Sequence, residues 1–274
     1  MNDVNNATTI QSHNEKAAAM WSSGGRAYDE VSRSIADGIE HCVLRLAPKH
    51  GERILDVATG TGWTSRRVAA RGASVTGVDI AEGLLDAARA IAAEDNIEID
   101  YRLGDAERLP FADGAFDAVI STFGVMFASD QEAAVGELAR VCRSGGRLAI
   151  AAWLPDSNAV QMRKVMVPFM PASTAAPPPS PFNWGDAAWL RTTLGDRFEL
   201  GFEEGVAVQR LPSAAAMWEF MENGFGPVTA LARSLDGDRR KALRGAFIEW
   251  LDDFRSDLGV AVPFRYLVTV GRRR

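Results

Sequence analysis

Between residues 53 and 153 the chain alternates short apolar runs with helical stretches, and this alternation limits its fold more than any other feature. "RILDVA" (53–58) carries no polar alternation, as expected of a strand covered on both faces. "TSRRVAARG" follows with a helical pattern and ends at Gly72, a C-cap residue type. "SVTGVDI" (74–80) is a second strand and "EGLLDAARAIAAED" (82–95) an alanine-rich helix. "IEIDYRL" (97–103), "FDAVIST" (116–122) and "GRLAIAAW" (146–153) supply three more strands. Before the last comes a helix that Asp130 should N-cap, with Glu132 near its dipole, and that Gly145-Gly146 should close. Repeated units of this length predict a Rossmann-like α/β fold, a mostly parallel sheet with helices on both faces. Ligands of such sheets lie beyond the carboxyl ends of the strands. The turn after the first strand, Asp79, Asp105 and the residues after Thr122 should therefore share one rim.

Two segments depart from the alternation. Residues 12–47 read as two helices with a Gly-Gly break. Residues 154–190 hold prolines at 168, 171, 177, 178, 179 and 181, which oppose a regular helix or central strand. Met166, Phe169, Met170, Phe182 and Trp184 flank them, which favours a rigid surface loop or lid over a disordered linker. Further on, "DAAWLRTTLG" reads as a helix, "RFELGFEEGVAVQRL" as a long or bulged strand, and "SAAAMWEFMENGF" and "GDRRKALRGAFIEWLDDFRSDLG" as helices. "VPFRYLVTVG" closes the chain as an antiparallel strand.

With 274 residues, 47% of them hydrophobic, the chain can bury a substantial core. The expected organisation is a flexible tail (1–14) and a single domain (15–274). Within the domain lie an N-terminal helical lid (15–50), a ligand-binding core (51–153), a Pro-rich insertion (154–190) and an acceptor side (191–274). The start, "MNDVNNATTIQSHNEK", lacks a signal-peptide layout, and no apolar run is long enough for a membrane span, so a cytoplasmic setting is expected. Cys42 and Cys142 are read as free thiols, and His13, His41 and His50 show no metal-ligand spacing, so no metal is expected. A net charge of -6 argues against a nucleic-acid partner.

The small residues of "DVATGTGW" (56–63) allow a tight turn and close approach to a ligand, although any strand–helix turn needs glycine. A dinucleotide fingerprint wants a third glycine where Ser65 stands. Asp56, at the strand end, would repel a pyrophosphate but favour the ammonium and sulfonium of S-adenosylmethionine (SAM), directly or through water. Asp79 suits the two hydroxyls of an adenosine ribose, or else N-caps the next helix. Asp105, with the Ala106 amide, could read an adenine edge, with Ile80 and Leu103 against the ring; the alternative is a plain surface turn.

In this order, "LDVATGTG", "VTGVDIAEGLLDAAR", "GDAERLPFADGAFDAVIS" and "ELARVCRSGGRLAIAAW" resemble the class I SAM-dependent methyltransferases. The nearest kind is type 11, the ubiquinone/menaquinone-biosynthesis-like subgroup, over roughly residues 20–153. The family motif has a glycine where Ala58 stands. The resemblance implies a seven-stranded sheet with its last strand antiparallel, and SAM, or its product S-adenosylhomocysteine (SAH), over the strand ends. It places Asp56, Ala58, Gly60 and Gly62 at the methionine half of the cofactor, Asp79 at the ribose, and Gly104, Asp105 and Ala106 at the adenine. Relatives carry a helix or lid before the first strand, where Trp21 and Tyr28 could cover the cofactor and Arg26 meet its carboxylate. Ser121, Thr122, Phe123 and Met126 should lie on the methyl-donor side.

The Tyr-x-x-x-Lys pair of short-chain oxidoreductases is absent, since Ser32, Asp105 and Val270 stand four residues after the tyrosines. Trp21, Met126, Phe169, Trp184, Trp218 and Met221 are candidates for an apolar acceptor site, although core packing explains each about as well. No catalytic residue is assigned; Glu219 and Glu222 are the carboxylates available as a base. The reading is a SAM-dependent methyltransferase of a small apolar metabolite, acting at oxygen or carbon. A non-catalytic SAM-binding protein and a nicotinamide oxidoreductase are the alternatives, and monomer or homodimer is left open.

Overall fold

The computed structural model describes residues 10–172 and 178–274. Part of the expected tail and Pro177 lie outside them. The alternating region folds as β1 (Arg53–Val57), α4 (Trp63–Ala69), β2 (Ser74–Asp79), α5 (Glu82–Glu94), β3 (Asp100–Leu103), β4 (Phe116–Thr122), α6 (Gln131–Val141) and β5 (Cys142–Trp153). Before it come α1 (Glu15–Ser22), α2 (Tyr28–Ser34) and α3 (Ala36–Leu46). After it come α7 (Asn158–Met166), α8 (Ala187–Leu194), β6 (Phe198–Leu211), α9 (Ala214–Gly224), α10 (Gly226–Ser234), α11 (Gly237–Asp252), β7 (Arg255–Ser256) and β8 (Gly259–Arg273).

Seven strands form the main sheet in the order β3-β2-β1-β4-β5-β8-β6, and the two-residue β7 pairs with β8 alone. β1 to β5 are parallel, and β8 runs antiparallel to both β5 and β6. This is the expected Rossmann-like sheet with its antiparallel last strand. Leu55, Val57 and Val119 face one side of the sheet and Ile54, Ala118 and Ile120 the other, each set meeting helices. Burial on both faces explains why these strands show no polar alternation. A third cluster joins α7, α9, α10 and α11 to one end of β8 through Met162, Trp218, Phe247 and Phe264.

Several elements differ from expectation. The 12–47 stretch holds three α-helices, not two, with one break after Ser22 and a second at Ile35. Gly145 and Gly146 do not close α6; they lie inside β5, whose pairing with β4 shifts register there. α7 is a regular helix within 154–190, because its residues lie between Pro155 and Pro168 and Ser157 caps it through the Ala159 amide. α10 went unpredicted because Pro227 reads as a breaker, yet it sits in the first turn, where the missing N–H costs nothing.

Candidate active site

The C-terminal ends of β1, β2 and β4 open on a cleft of about 890 Å³, its solvent-open mouth included. Its floor is the turn from Ala58 to Gly62. Three residues there take the left-handed conformation: Ala58 (φ 56°), Gly60 (φ 57°) and Gly62 (φ 78°). A side chain at Gly62 would displace Tyr101, since a Cβ would sit 2.0 Å from its hydroxyl. The Gly60 N–H donates to Asp79 Oδ2 (2.8 Å) and the Ala81 N–H to Oδ1 (2.9 Å). One carboxylate thus ties the turn to the start of α5 while facing the cleft. Burial pushes the Asp79 carboxyl up to about 6, against the pull of those amides. The Tyr28 ring lies over Gly60, and Trp21 packs at the same mouth against Tyr28, Phe127 and Phe225.

Asp56 is placed differently from the direct ligand contact considered for it. It is fully buried and does not line the cleft. Its Oδ2 accepts from the hydroxyls of Thr59 and Ser65, both at 2.7 Å, so it braces the turn from beneath. Ser65 is therefore a partner for Asp56 rather than a reduced glycine. Burial raises the Asp56 carboxyl to about 6, and Oδ1 has no partner among the described residues.

At the other end of the cleft, Asp105 Oδ1 accepts from the Glu107 N–H at 3.0 Å. Its Oδ2 accepts from the Gln11 N–H and Asn14 Nδ2, each at 3.0 Å. His13 meets Glu107 Oε2 at 2.6 Å, so the residues before α1 are tied to this rim. Among the described residues, Asp79, Asp105 and Glu107 line the cleft, and no lysine, arginine or histidine does. An acid-only lining disfavours a pyrophosphate and suits a cationic ligand.

Beside the cleft lies a second, narrower chamber of about 460 Å³, its opening to solvent included. Tyr28, Ile35, Phe123 and Phe127 line both. Phe123 stacks on Trp153 with ring centroids 4.0 Å apart, and its φ of 58° turns the ring between the two spaces. The remaining walls are largely apolar and include Met162, Met221 and Phe225.

Of the residues singled out from the sequence, Trp21, Tyr28, Ala58, Gly60, Asp79, Ile80, Gly104, Asp105, Ala106, Thr122 and Phe123 meet around the cleft, and Met221 lines the second chamber. Asp56, Gly62 and Ser121 lie beneath; the Ser121 hydroxyl donates to the Val57 carbonyl at 2.7 Å. Met126 and Trp184 are buried in the sheet core, and Trp218 packs on Phe247, 5.2 Å between centroids. Phe169 sits at the edge of that same helical cluster. Met126, Trp184 and Trp218 fill the core, and Phe169 covers its edge. Arg26 is exposed and paired with Glu94, away from the cleft. Thr59, Trp63, Thr64 and Glu107 line the cleft unpredicted, although each is within four residues of a residue that was singled out. Gln209, in the second chamber, carried no sequence signal.

The family model described as a methyltransferase domain matches residues 55–150, from β1 into β5. Two uncharacterized proteins of Mycobacterium tuberculosis are 39% and 35% identical over 179 and 189 residues, which is 65% and 68% of this chain. The matched stretches make up 65% and 69% of their own lengths. The chain belongs to the class I SAM-dependent methyltransferase family, type 11. A demethylmenaquinone methyltransferase of Clavibacter sepedonicus is 37% identical over 141 residues, 49% of this chain and 57% of that protein. The same fold appears in a Haemonchus contortus phosphoethanolamine N-methyltransferase in complex with phosphomonomethylethanolamine and S-adenosylhomocysteine. That methyltransferase superposes with a TM-score of 0.54 at 17% identity, over 86% of this chain and 52% of that one. Among the described residues, no helix is long and apolar enough to cross a membrane, and no group of three or more His, Cys, Asp or Glu side chains could hold a metal ion.

Proposed function

We propose that this chain binds SAM in the acid-lined cleft and transfers its methyl group to a small, largely apolar acceptor, at oxygen or carbon, in the second chamber. The observation that carries the reading is the cleft's charge: three carboxylates, no cation, and a glycine turn tied to Asp79. Asp79 would take the ribose and the Asp105–Ala106 edge the adenine, with Ala58, Gly60 and Thr59 against the methionine half. The family's use of SAM supports this, as does the SAH named in the structural neighbour. When bound, SAM supplies an electrophilic methyl group on a positive sulfur.

The chain's own contribution is position and exclusion of water. Phe123, between cleft and chamber, would orient the acceptor in line with the methyl; such positioning supplies roughly 7–11 kcal/mol in the best cases. Among the described residues, no carboxylate or histidine lines the second chamber. Glu219 is exposed and Glu222 pairs with Arg240 at 2.7 Å, so neither serves as a base there. Burial and the nearby Asp79 push the Tyr28 phenol upward, which keeps it protonated. The nucleophile's reactivity must therefore come from the acceptor itself, as in an acidic phenol or an activated carbon.

Titration calorimetry with SAM, SAH and NADH tests the cofactor, and a methyl-transfer screen tests the reaction. SAM and SAH should bind and NADH should not. Asp79→Ala should weaken SAM binding by about 1.5–3 kcal/mol while the protein stays folded. Tight NADH binding without SAM binding would overturn the cofactor assignment. SAM binding with no turnover on any acceptor would leave a SAM-binding protein without transferase activity.

A further inference from the structure

One wall of the second chamber carries a buried side-chain amide that the protein pairs only in part. Gln209, on β6, lines the chamber and is 4% exposed. Its Nε2 donates to Ser34 Oγ at 2.8 Å, and the Ser34 hydroxyl donates to the Val31 carbonyl at 2.7 Å. A hydroxyl carries one hydrogen. Ser34 has committed its own to Val31, so it can only accept from Gln209. This fixes the amide, with nitrogen toward Ser34 and oxygen turned away. Gln209 Oε1 is buried and meets no donor among the described residues.

An unpaired buried amide oxygen is costly, and native structures seldom keep one without a use. A strut to Ser34 needs only the nitrogen, and an apolar side chain would complete the chamber wall without the penalty. The neighbouring surfaces are aromatic or thioether: Phe123, Phe225 and Phe264, with Met162 and Met221 able to shift around an occupant. We propose that Gln209 is a specificity-determining residue of this chamber, its Oε1 accepting a hydrogen bond from a hydroxyl or N–H of an otherwise apolar, aromatic acceptor. The inference rests on the second chamber being the acceptor site. Donor-bearing acceptors pair the orphan oxygen, whereas analogues that lack the donor leave it unpaired, a discrimination that buried polar groups make strongly.

The test uses the full chain saturated with SAH and two probes of nearly equal size that differ in the hydroxyl, 4-ethylphenol and 4-ethyltoluene, each titrated by calorimetry. Wild type should bind the phenol about ten-fold more tightly, as expected for one buried hydrogen bond. Gln209→Met keeps the length of the side chain without the acceptor, and should bring the ratio near one while SAH affinity, the control for folding, stays unchanged. Ser34→Ala keeps the glutamine but releases its nitrogen, and should lower the ratio as well. A wild-type ratio near one, or a preference that survives in both variants, overturns the role of Gln209 alone. If SAH binds but neither probe does, the acceptor chamber and Gln209's role fall together. If SAH itself fails to bind, it is the cofactor reading that fails.

Discussion

Asp79 shows how one side chain can be structural and ligand-facing at once. It accepts two backbone amides, and its carboxyl is pushed up to about 6 by burial. A cationic ligand favours the ionised form, so the complex must hold this carboxyl lower than the free protein does. Below about pH 6, binding then has to release a proton, and SAM affinity should fall as the pH drops from 7.5 to 5, by up to about ten-fold per unit. Asp79→Asn should bind more weakly and lose that slope, which calorimetry across pH would read; an unchanged slope would exclude Asp79 as its source. Ala58 presents the opposite case, a residue in a conformation that suits glycine better. The left-handed backbone costs an alanine about 1–2 kcal/mol, more than the ~0.4–1 kcal/mol that glycine loses by loosening the unfolded chain. Ala58→Gly should therefore raise stability by up to about 1 kcal/mol in urea unfolding, and a fall would show that the Ala58 methyl contact over Gly124 outweighs the strain.

At the scale of elements, α9 separates two aromatic and thioether positions that look alike in sequence. Trp218 is 2% exposed and packs on Phe247, whereas Met221, one turn on, reaches the second chamber. Trp218→Ala should cost about 3–5 kcal/mol of stability, measured by denaturation, with SAH affinity unchanged at a temperature where the variant is folded. A large change in SAH affinity under those conditions would mean that α9 reaches the cleft after all. The β1–turn–α4 unit was legible because its glycines, its strand-end acid and its apolar run are all local signals. α7 was hidden by the prolines of the surrounding segment, although it contains none, and α10 by Pro227, whose missing N–H matters only beyond the first turn. Ser65 was legible as a departure from a glycine pattern, but its bond to Asp56 depends on α4 folding back over β1.

For the molecule as a whole, the cleft gathers walls from α1, α2, the ends of β1, β2 and β4, and the residues after β3. A ligand that touches all of them stabilises only the folded state. SAH at about 100 times its dissociation constant should add roughly 2.7 kcal/mol, seen as a rise in melting temperature, and NADH at the same concentration should add none. Equal shifts from both would contradict the charge argument for the cleft. The second chamber is assembled from still more distant parts, since Val31, Trp153, Gln209, Met221 and Phe264 belong to five different elements.

The sequence by itself determined the alternation of strands and helices from β1 to β5, the sheet class, and the acids and glycines of the turn, because each rests on contacts a few residues apart or on burial periodicity. It could not say whether Asp56 meets a ligand or braces the turn, nor which of the scattered Met and Trp residues face a cavity. Those outcomes depend on which side of each element is covered by a partner far along the chain. Gln209 is the clearest instance: its unpaired oxygen exists only because Ser34, 175 residues earlier, claims the nitrogen.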